Sequence, residues 1–471
     1  MRSKRYQILY IGAFLILCLI PSAGLLLGGR EDSAEREGRA SMPSLLTEDR
    51  QLNLYYPAQA GAWFEENFAW RKELVSLNAL VQSGLGVSAQ KDVIVGRDGW
   101  LYYRETLKDY TNQDQLSDRA LYDIAHTAAM TQEYCAFIGA DYLFVIVPDK
   151  VTLYPEYLPY YYAHKVSNSS NRTRLKEFME QEGVHYLDLT DPLQEAVKEQ
   201  KANPEMAGYH LPALYHKTDS HWTNEGAAIG ADAILTELGV EHRDYRGAEA
   251  EVTKDFEGDL EAMLYPAFPA EEEEVWYDPA PAYGYLNEVE STYDYQIQTV
   301  SGGEGQSLLM YRDSFANALL PFLAESYSMG YFSRAVPANL LFDLSSSAPT
   351  AVIMEHAERN IPATAEAPSI LQALPSALTP KDPELSAADA RIACETEEAN
   401  PYFTRVSGTF ETAPAAGVRI YADPGDGILY EAMPVFRQSE QEEGFVLYLP
   451  AEALPASEDS ARQIRVFLSS N

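Results

Sequence analysis

Continuous apolar runs alternate with amphipathic segments over the middle of the chain. Residues 142–147 are uninterruptedly apolar and end at Pro148, which is typical of a strand buried on both faces of a parallel sheet. Residues 117–139 place apolar side chains at three- and four-residue steps, which predicts an amphipathic helix. The alternation continues with strands predicted at 184–189, 307–311 and 351–354 and helices at 170–182, 192–200, 223–238 and 315–326. This pattern predicts an α/β fold, a mostly parallel sheet with flanking helices.

The regions before and after this alternating part have different sequence patterns. From Trp63 an amphipathic pattern predicts a helix that ends near Gly84, and two short apolar runs around the turn 96–99 predict a hairpin. Residues 364–394 are rich in Pro, Ala and Ser and are expected to be a linker. Short strand-like runs after them predict a small all-β sandwich at 395–471, for which carbohydrate binding is an open interpretation.

The N-terminus carries a targeting pattern. Three basic residues precede an uncharged run at 8–29, which is long enough for a bilayer core of about 30 Å. Small residues at 21–24 resemble a signal-peptide cleavage region, but the apolar run continues through Leu27, which favours an uncleaved anchor. We therefore expect a single membrane anchor at 1–29, a juxtamembrane linker at 30–60 and an extracytoplasmic body whose main domain spans 61–363. Cleavage of the anchor would make the body a secreted protein.

The composition limits the classes of partner that the protein is expected to bind. Lys and Arg number 35 against 71 Asp and Glu, so the net charge of −36 argues against nucleic-acid binding and against broad adhesion to anionic membranes. Hydrophobic residues make up 46%, enough for a sizeable core. We expect Cys135 and Cys394 to be free and structural. His210, His216 and His221 lack the spacing of a zinc site, and we expect neither a metal nor a cofactor.

One segment with candidate chemistry is Tyr311-Arg312-Asp313-Ser314-Phe315-Ala316-Asn317. Ser314 follows a predicted strand and precedes a predicted helix. Unpaired N–H groups and the positive end of the helix dipole lie at such a turn, where they stabilise an oxyanion. This is the logic of a nucleophile elbow without its usual glycines. The alternative is that Asp313 and Ser314 simply cap the helix.

A second segment, Lys217-Thr218-Asp219-Ser220-His221-Trp222-Thr223, supplies what a serine nucleophile needs. His221 can take the hydroxyl proton, and Asp219, two residues earlier, can orient and stabilise the imidazolium. Trp222 is placed to pack against the ring and limit water. The alternative is that Thr218 and Asp219 cap the helix that follows.

Together these two segments resemble the DHHW family, which is similar to the alginate O-acetyltransferase (AlgX/AlgJ-like) branch of the SGNH hydrolases. Supporting segments lie in the same order at 64–71, 93–102, 147–159 and 355–360; they resemble the family's N-terminal helix, its "GkdGWLf" hairpin, its "PxK…YPexLP" stretch and its "ExxERN" strand end. The resemblance covers about residues 60–362. It implies an SGNH-hydrolase-like fold for that part of the chain.

The resemblance also implies a triad of Ser314 as nucleophile, His221 as base and Asp219 as orienter. Two departures are visible: Ser220 replaces the family's His between Asp219 and His221, and Arg312 stands where SGNH hydrolases usually have Gly. Further candidates for oxyanion or substrate binding are Asn317, Arg312, Lys150, Tyr311 and Trp222.

The implied function is an acyltransferase, most simply one that O-acetylates an exported polysaccharide or cell-wall glycan. A membrane-bound acetyl-donor protein of the MBOAT type would be the partner. A carbohydrate esterase using the same triad is one alternative. A non-enzymatic glycan-binding or assembly subunit is the other.

Overall fold

The structure is a computed structural model that describes residues 42–47, 49–67, 70–162, 169–202, 208–302, 306–398, 400–437 and 442–469, with eight scattered positions between 6 and 19. The expected membrane anchor at 1–29 therefore lies largely outside the described residues, as does part of the linker at 30–60. Among the residues that are described, no helix combines the length and apolar character needed to cross a membrane.

The helices and strands follow the predicted order closely. The helices are Tyr56–Asn67, Arg71–Gly84, Thr106–Tyr110, Asp118–Ile138, Lys150–Leu153, Asn171–Gln181, Thr190–Ala202, Asn224–Glu237, Asp259–Leu264, Ala316–Ser326, Leu340–Ser347, Ile361–Thr364 and Glu458–Gln463. The first eleven strands are β1 Val93–Val95, β2 Leu101–Tyr103, β3 Asp141–Val147, β4 Tyr186–Asp188, β5 Ala250–Glu257, β6 Glu271–Tyr277, β7 Gly284–Tyr285, β8 Gln296–Val300, β9 Ser307–Tyr311, β10 Met329–Ser333 and β11 Ala351–Ala357. The remainder are β12 Leu385–Ala388, β13 Arg391–Thr396, β14 Phe403–Thr409, β15 Ile420–Asp423, β16 Tyr430–Arg437, β17 Glu442–Pro450 and β18 Arg465–Ser469.

The chain forms two compact units. The smaller comprises residues 1–95 and 257–270, and the larger comprises 96–256 and 271–471. In the smaller unit the pattern that predicted one helix forms two, with Trp70 in the left-handed region (φ 61°) before the second. Gln90 ties this unit together by donating from its side chain to the Met263 carbonyl at 2.9 Å.

A seven-stranded sheet organises the larger unit, in the order β4-β3-β11-β9-β10-β8-β7. The first five strands are mutually parallel, and β8 and β7 complete one edge in antiparallel fashion. The apolar run in β3 is buried because helices cover this part of the sheet. Ser117 caps the helix Asp118–Ile138, its side chain accepting from the Ala120 N–H. The predicted α/β fold with a mostly parallel sheet and flanking helices is confirmed.

The C-terminal part consists mainly of β-strands, as predicted, with one short helix at Glu458–Gln463. Its strands are hydrogen-bonded in one continuous antiparallel order, β12-β18-β15-β16-β17-β14-β13. Val406 of β14 and Val466 of β18 lie far apart in that order yet share one buried cluster, so the sheet curves around its own core as a half-barrel. A sandwich and a curved sheet give the same alternation along each strand, which is why the strand pattern alone does not separate them.

The C-terminal sheet packs on the helix Asp118–Ile138. Met433 and Tyr448 join the same buried cluster as that helix, and the buried Arg119 pairs with Glu443 at 2.7 Å. The segment expected to be a linker takes part as well: Ile370 and Leu371 are buried, and Gln372 bridges to Tyr448. Its later part forms β12 and the start of β13, so the C-terminal sheet begins before residue 395 and this part of the segment is not a linker. Pro, Ala and Ser carry little strand signal, which is why the sequence pattern did not show these strands.

Candidate functional site

Ser314 lies in the turn between β9 and the helix Ala316–Ser326, at the carboxyl edge of the parallel strands. Asp313 holds this turn: its carboxylate accepts from the N–H groups of Phe315 at 2.9 Å and Ala357 at 2.8 Å and from the Asn360 side chain at 2.6 Å. Burial raises the pKa of Asp313, but these hydrogen bonds and the charge of Arg359 outweigh it and bring the pKa below its usual value. Because Asp313 supplies the cap to the Phe315 N–H, the Ser314 hydroxyl is left for another contact.

Glu355 supports the same turn from the neighbouring strand β11. Its carboxyl group accepts from the Asp313 N–H at 2.9 Å and is almost fully buried. Burial, followed by the nearby Asp313 charge, raises the pKa of Glu355 well above its usual value. The pKa shifts of Glu355 and Asp313 have opposite directions, so Glu355 takes up a proton more readily than Asp313, which lessens the repulsion between the two carboxyl groups.

Lys150 supports the loop that carries His221 through hydrogen bonds to the loop backbone. The Lys150 ammonium donates to the carbonyls of His216 at 3.0 Å, Lys217 at 3.0 Å and Asp219 at 2.6 Å. It is 3% exposed and lies over the rings of Trp100 and Tyr102. Proposed from sequence as an oxyanion or substrate group, Lys150 is placed by the structure behind the loop, where its protons are directed to backbone oxygens.

Two glutamates of β6 hold the outer side of this loop. Glu272 accepts from the N–H groups of Lys217 at 2.8 Å and Thr218 at 2.6 Å and from the Thr218 hydroxyl. The buried Glu274 contacts the His216 ring at 3.1 Å and accepts from the Asn224 N–H at 3.1 Å. Sequence reasoning missed both residues, because four consecutive glutamates have the signature of a solvated surface. Only the alternation of a strand would have placed these two on one face.

The loop and the turn meet through their side chains. Nε2 of His221 lies 2.7 Å from Oγ of Ser314, and Nδ1 of His221 lies 2.8 Å from Oδ1 of Asp219. The same Asp219 oxygen accepts from the His221 N–H at 2.8 Å. A carboxylate oxygen only accepts, so we assign the imidazole proton to Nδ1, which leaves Nε2 as the acceptor facing the serine hydroxyl.

The burial of these groups suits that arrangement. The Asp219 side chain is 7% exposed, whereas that of His221 is 21% exposed. The following helix is capped by Thr223, whose hydroxyl accepts from the Gly226 N–H. Asp219 is therefore not needed as a helix cap and contacts the imidazole instead.

Arg312 and Asn317 form a pair beside Ser314. The Arg312 guanidinium donates to Oδ1 of Asn317 at 2.6 Å, so the amide nitrogen of Asn317 points away from it. Burial, followed by repulsion from Arg334, lowers the pKa of Arg312 to about 10. Arg312 thus stays cationic at neutral pH and orients Asn317 instead of projecting into solvent.

Trp222 and Tyr311, the other two candidates for oxyanion or substrate binding, are buried and support the site from within the protein. The Trp222 indole donates to the Phe315 carbonyl at 3.0 Å, which links the histidine loop to the serine turn. The Tyr311 hydroxyl donates to Asp343 at 2.8 Å. Both side chains are at most 3% exposed, so neither is presented to solvent beside Ser314.

Residues 93–308 match the family model described as the SGNH hydrolase-like domain of the acetyltransferase AlgX. This part of the chain is therefore similar to the AlgX-type SGNH hydrolase-like domain. The matched range includes Lys150, Asp219 and His221 and ends shortly before Ser314.

A relative of this chain is named for the same kind of activity. A probable alginate O-acetylase AlgJ of Pseudomonas fluorescens is 27% identical over 272 residues, which cover 56% of this chain and 61% of that protein. The chain thus spans about three fifths of the length of this curated relative.

Solved structures similar to this chain include a DHHW family protein from Eubacterium siraeum, at 18% identity and a TM-score of 0.39, covering 51% of this chain and 85% of that one. Another is the O-acetyltransferase domain of Pseudomonas putida AlgJ, at 20% identity and a TM-score of 0.36, covering 57% and 92%.

The role of Lys150 can be tested by Lys150→Met. The variant keeps the apolar stem but leaves three loop carbonyls without their donor, so His221 loses its fixed position. We expect kcat for 4-nitrophenyl acetate to fall by about 10- to 100-fold while KM changes little.

Lys201→Met is the matched control, since Lys201 is half exposed and pairs with Glu156 on the surface. It should keep kcat within about twofold. An unchanged kcat in Lys150→Met would show that the loop does not depend on this ammonium.

Proposed function

We propose that this protein is an extracytoplasmic O-acetyltransferase that transfers an acetyl group to a polysaccharide through an acetyl-serine intermediate on Ser314. The observation that carries the proposal is the chain of contacts from Asp219 through His221 to the Ser314 hydroxyl, at 2.8 and 2.7 Å. The family match and the relative named alginate O-acetylase support the same chemistry.

In the first half-reaction His221 Nε2 takes the Ser314 proton as Oγ attacks the carbonyl carbon of the acetyl donor. The bond between that carbon and the leaving group then breaks, and His221 returns the proton to the leaving group. The Asp219 carboxylate stabilises the imidazolium that exists between these two transfers.

In the second half-reaction a sugar hydroxyl replaces the leaving group. His221 takes its proton, the hydroxyl oxygen attacks the acetyl carbon, and Ser314 recovers its proton as the ester is released. If water takes the place of the sugar, the same steps give hydrolysis, so exclusion of water favours transfer.

Oxyanion stabilisation is assigned to the Ser314 N–H and the Asn317 amide. No acceptor for the Ser314 N–H is found within the part of the chain that the structure describes, and Arg312 fixes the orientation of the Asn317 amide by occupying its oxygen. Asn317 lies in the first turn of the helix Ala316–Ser326 and Ser314 just before its N-terminus, where the helix dipole also favours negative charge.

Three parts of the proposal rest on the sequence and its family resemblance. They are an extracytoplasmic location with the run at 8–29 as a single anchor, a membrane-bound acetyl-donor partner of the MBOAT type, and the division into a catalytic domain at 61–363 and a C-terminal β domain, which β12 extends back to Leu385.

The intermediate can be trapped directly. The body from residue 42 onward is mixed with 4-nitrophenyl acetate, quenched in acid and analysed by peptide mass spectrometry. We expect one acetyl group on the peptide that contains Ser314. Adding an oligosaccharide should then give acetylated sugar, while free acetate alone would indicate an esterase. Absence of acetyl-Ser314 would contradict the proposal and favour a glycan-binding subunit.

A further inference from the structure

Two exposed tyrosines stand in the segment that leads into β8. Tyr293 is 63% exposed and Tyr295 is 66% exposed, although tyrosine rings carry a large apolar surface. They are separated by the half-buried Asp294. We call Tyr293 and Tyr295 the tyrosine pair.

The tyrosine pair lies at the same edge of the sheet as Ser314. Gln296, at the start of β8, is paired with Ser333 of β10, and Ser333 is paired with Tyr311 at the end of β9. Adjacent strands are about 4.8 Å apart, so the start of β8 lies about 10 Å across the sheet from the end of β9. Open α/β sheets bind ligands at this edge.

Hydrogen bonds connect the backbone of the tyrosine pair to the turn that carries Ser314. The Arg312 guanidinium donates to the carbonyls of Thr292 at 2.9 Å and Asp294 at 3.2 Å, and the same group donates to Asn317. The Arg334 N–H donates to the Tyr295 carbonyl at 2.8 Å. The backbone beneath both rings is therefore fixed relative to Ser314.

The orientation of one ring has a further support. The Arg334 guanidinium lies 5.6 Å from the centre of the Tyr293 ring, a cation–π contact that restrains it while leaving most of the side chain exposed. A restrained aromatic surface loses little conformational entropy when it binds a ligand.

We propose that Tyr293 and Tyr295 form the acceptor platform, on which sugar rings of the glycan stack while a neighbouring sugar presents its hydroxyl to Ser314. This inference rests on the proposed function. The apolar faces of sugar rings match exposed aromatic rings, and the separation from Ser314 is one that an oligosaccharide spans but a lone acetyl group does not. The pair therefore binds the acceptor and not the acetyl group.

The test uses the ratio of transfer to hydrolysis. The body from residue 42 onward is given 4-nitrophenyl acetate with alginate oligosaccharides or chito-oligosaccharides, and acetylated sugar and free acetate are quantified in the same reaction. In the double variant Tyr293→Ala/Tyr295→Ala we expect the ratio to fall by about tenfold. Because no other protein is present, a lower ratio cannot come from lost docking of a donor protein.

Two controls accompany this variant. Tyr293→Phe/Tyr295→Phe keeps both rings and should keep the ratio. Phe137→Ala removes an equally exposed ring (72%) from the end of the helix Asp118–Ile138, which leads into the start of β3 at the opposite edge of the sheet. It should also keep the ratio.

The outcomes separate this inference from the proposed function. An unchanged ratio in the double alanine variant, or an equal fall of transfer and hydrolysis, overturns the acceptor platform alone. Ser314-dependent hydrolysis without transfer to either acceptor by the unaltered protein also overturns it, since water is then the acceptor. Lack of any Ser314-dependent turnover overturns the proposed function itself.

Discussion

Ser314→Ala is expected to lower the turnover of 4-nitrophenyl acetate by at least about 10⁴-fold, because the substitution removes the hydroxyl that carries the proposed acetyl-enzyme. The hydroxyl is the atom that His221 contacts at 2.7 Å, and the turn that presents it is held by Asp313 through backbone and side-chain donors. Removing one oxygen leaves those contacts intact, so the variant should remain folded.

Ser326→Ala is the control for Ser314→Ala. Ser326 ends the same helix, and its hydroxyl donates to the Phe322 carbonyl at 2.9 Å. We expect full activity from this control, with circular dichroism spectra alike for both variants and the unaltered protein. Turnover in Ser314→Ala near that of Ser326→Ala would remove serine as the nucleophile.

Asp219→Asn is expected to cost about 10³- to 10⁴-fold in kcat with the fold preserved. An amide oxygen facing Nδ1 would keep the hydrogen bond but lose the negative charge that stabilises the imidazolium. An amide nitrogen facing Nδ1 would reverse the tautomer and place a proton on Nε2, where it cannot accept from Ser314. Either orientation therefore slows both half-reactions.

A second Asp–His contact in the protein provides the control for Asp219→Asn. Asp232 contacts His242 at 3.0 Å on the surface, where the Asp232 side chain is 56% exposed. Asp232→Asn should leave kcat within about twofold. If the two asparagine variants had equal activity, the contact between Asp219 and His221 would be structural and not part of the chemistry.

Several parts of the fold were predictable because their cause is local. The helix Asp118–Ile138 was predicted from its apolar period, and β3 from an apolar run that is typical of a strand covered on both faces. The antiparallel strand β8, which lies beside the edge strand β7, and the parallel strand β10 were not predicted, because their short runs carry no periodic signal of their own.

The site, like the fold, was predictable only in part. The residue types of a nucleophile, a base and an orienter were visible in two short segments, and the AlgX-type resemblance joined them. The supports around them were not visible. Glu272 and Glu274 hold the histidine loop, and Lys150 holds it from the other side, through contacts between residues 54 to 69 positions apart.

The sequence by itself determined the α/β pattern, the acidic character and the residues able to carry acyl transfer, since each depends on the order and type of neighbouring residues. Only the tertiary structure decided that Lys150 faces backbone carbonyls, that Arg312 orients Asn317, and that the tyrosine pair shares an edge with Ser314. Such relations depend on strand order and register, which bring together side chains that no spacing along the chain connects.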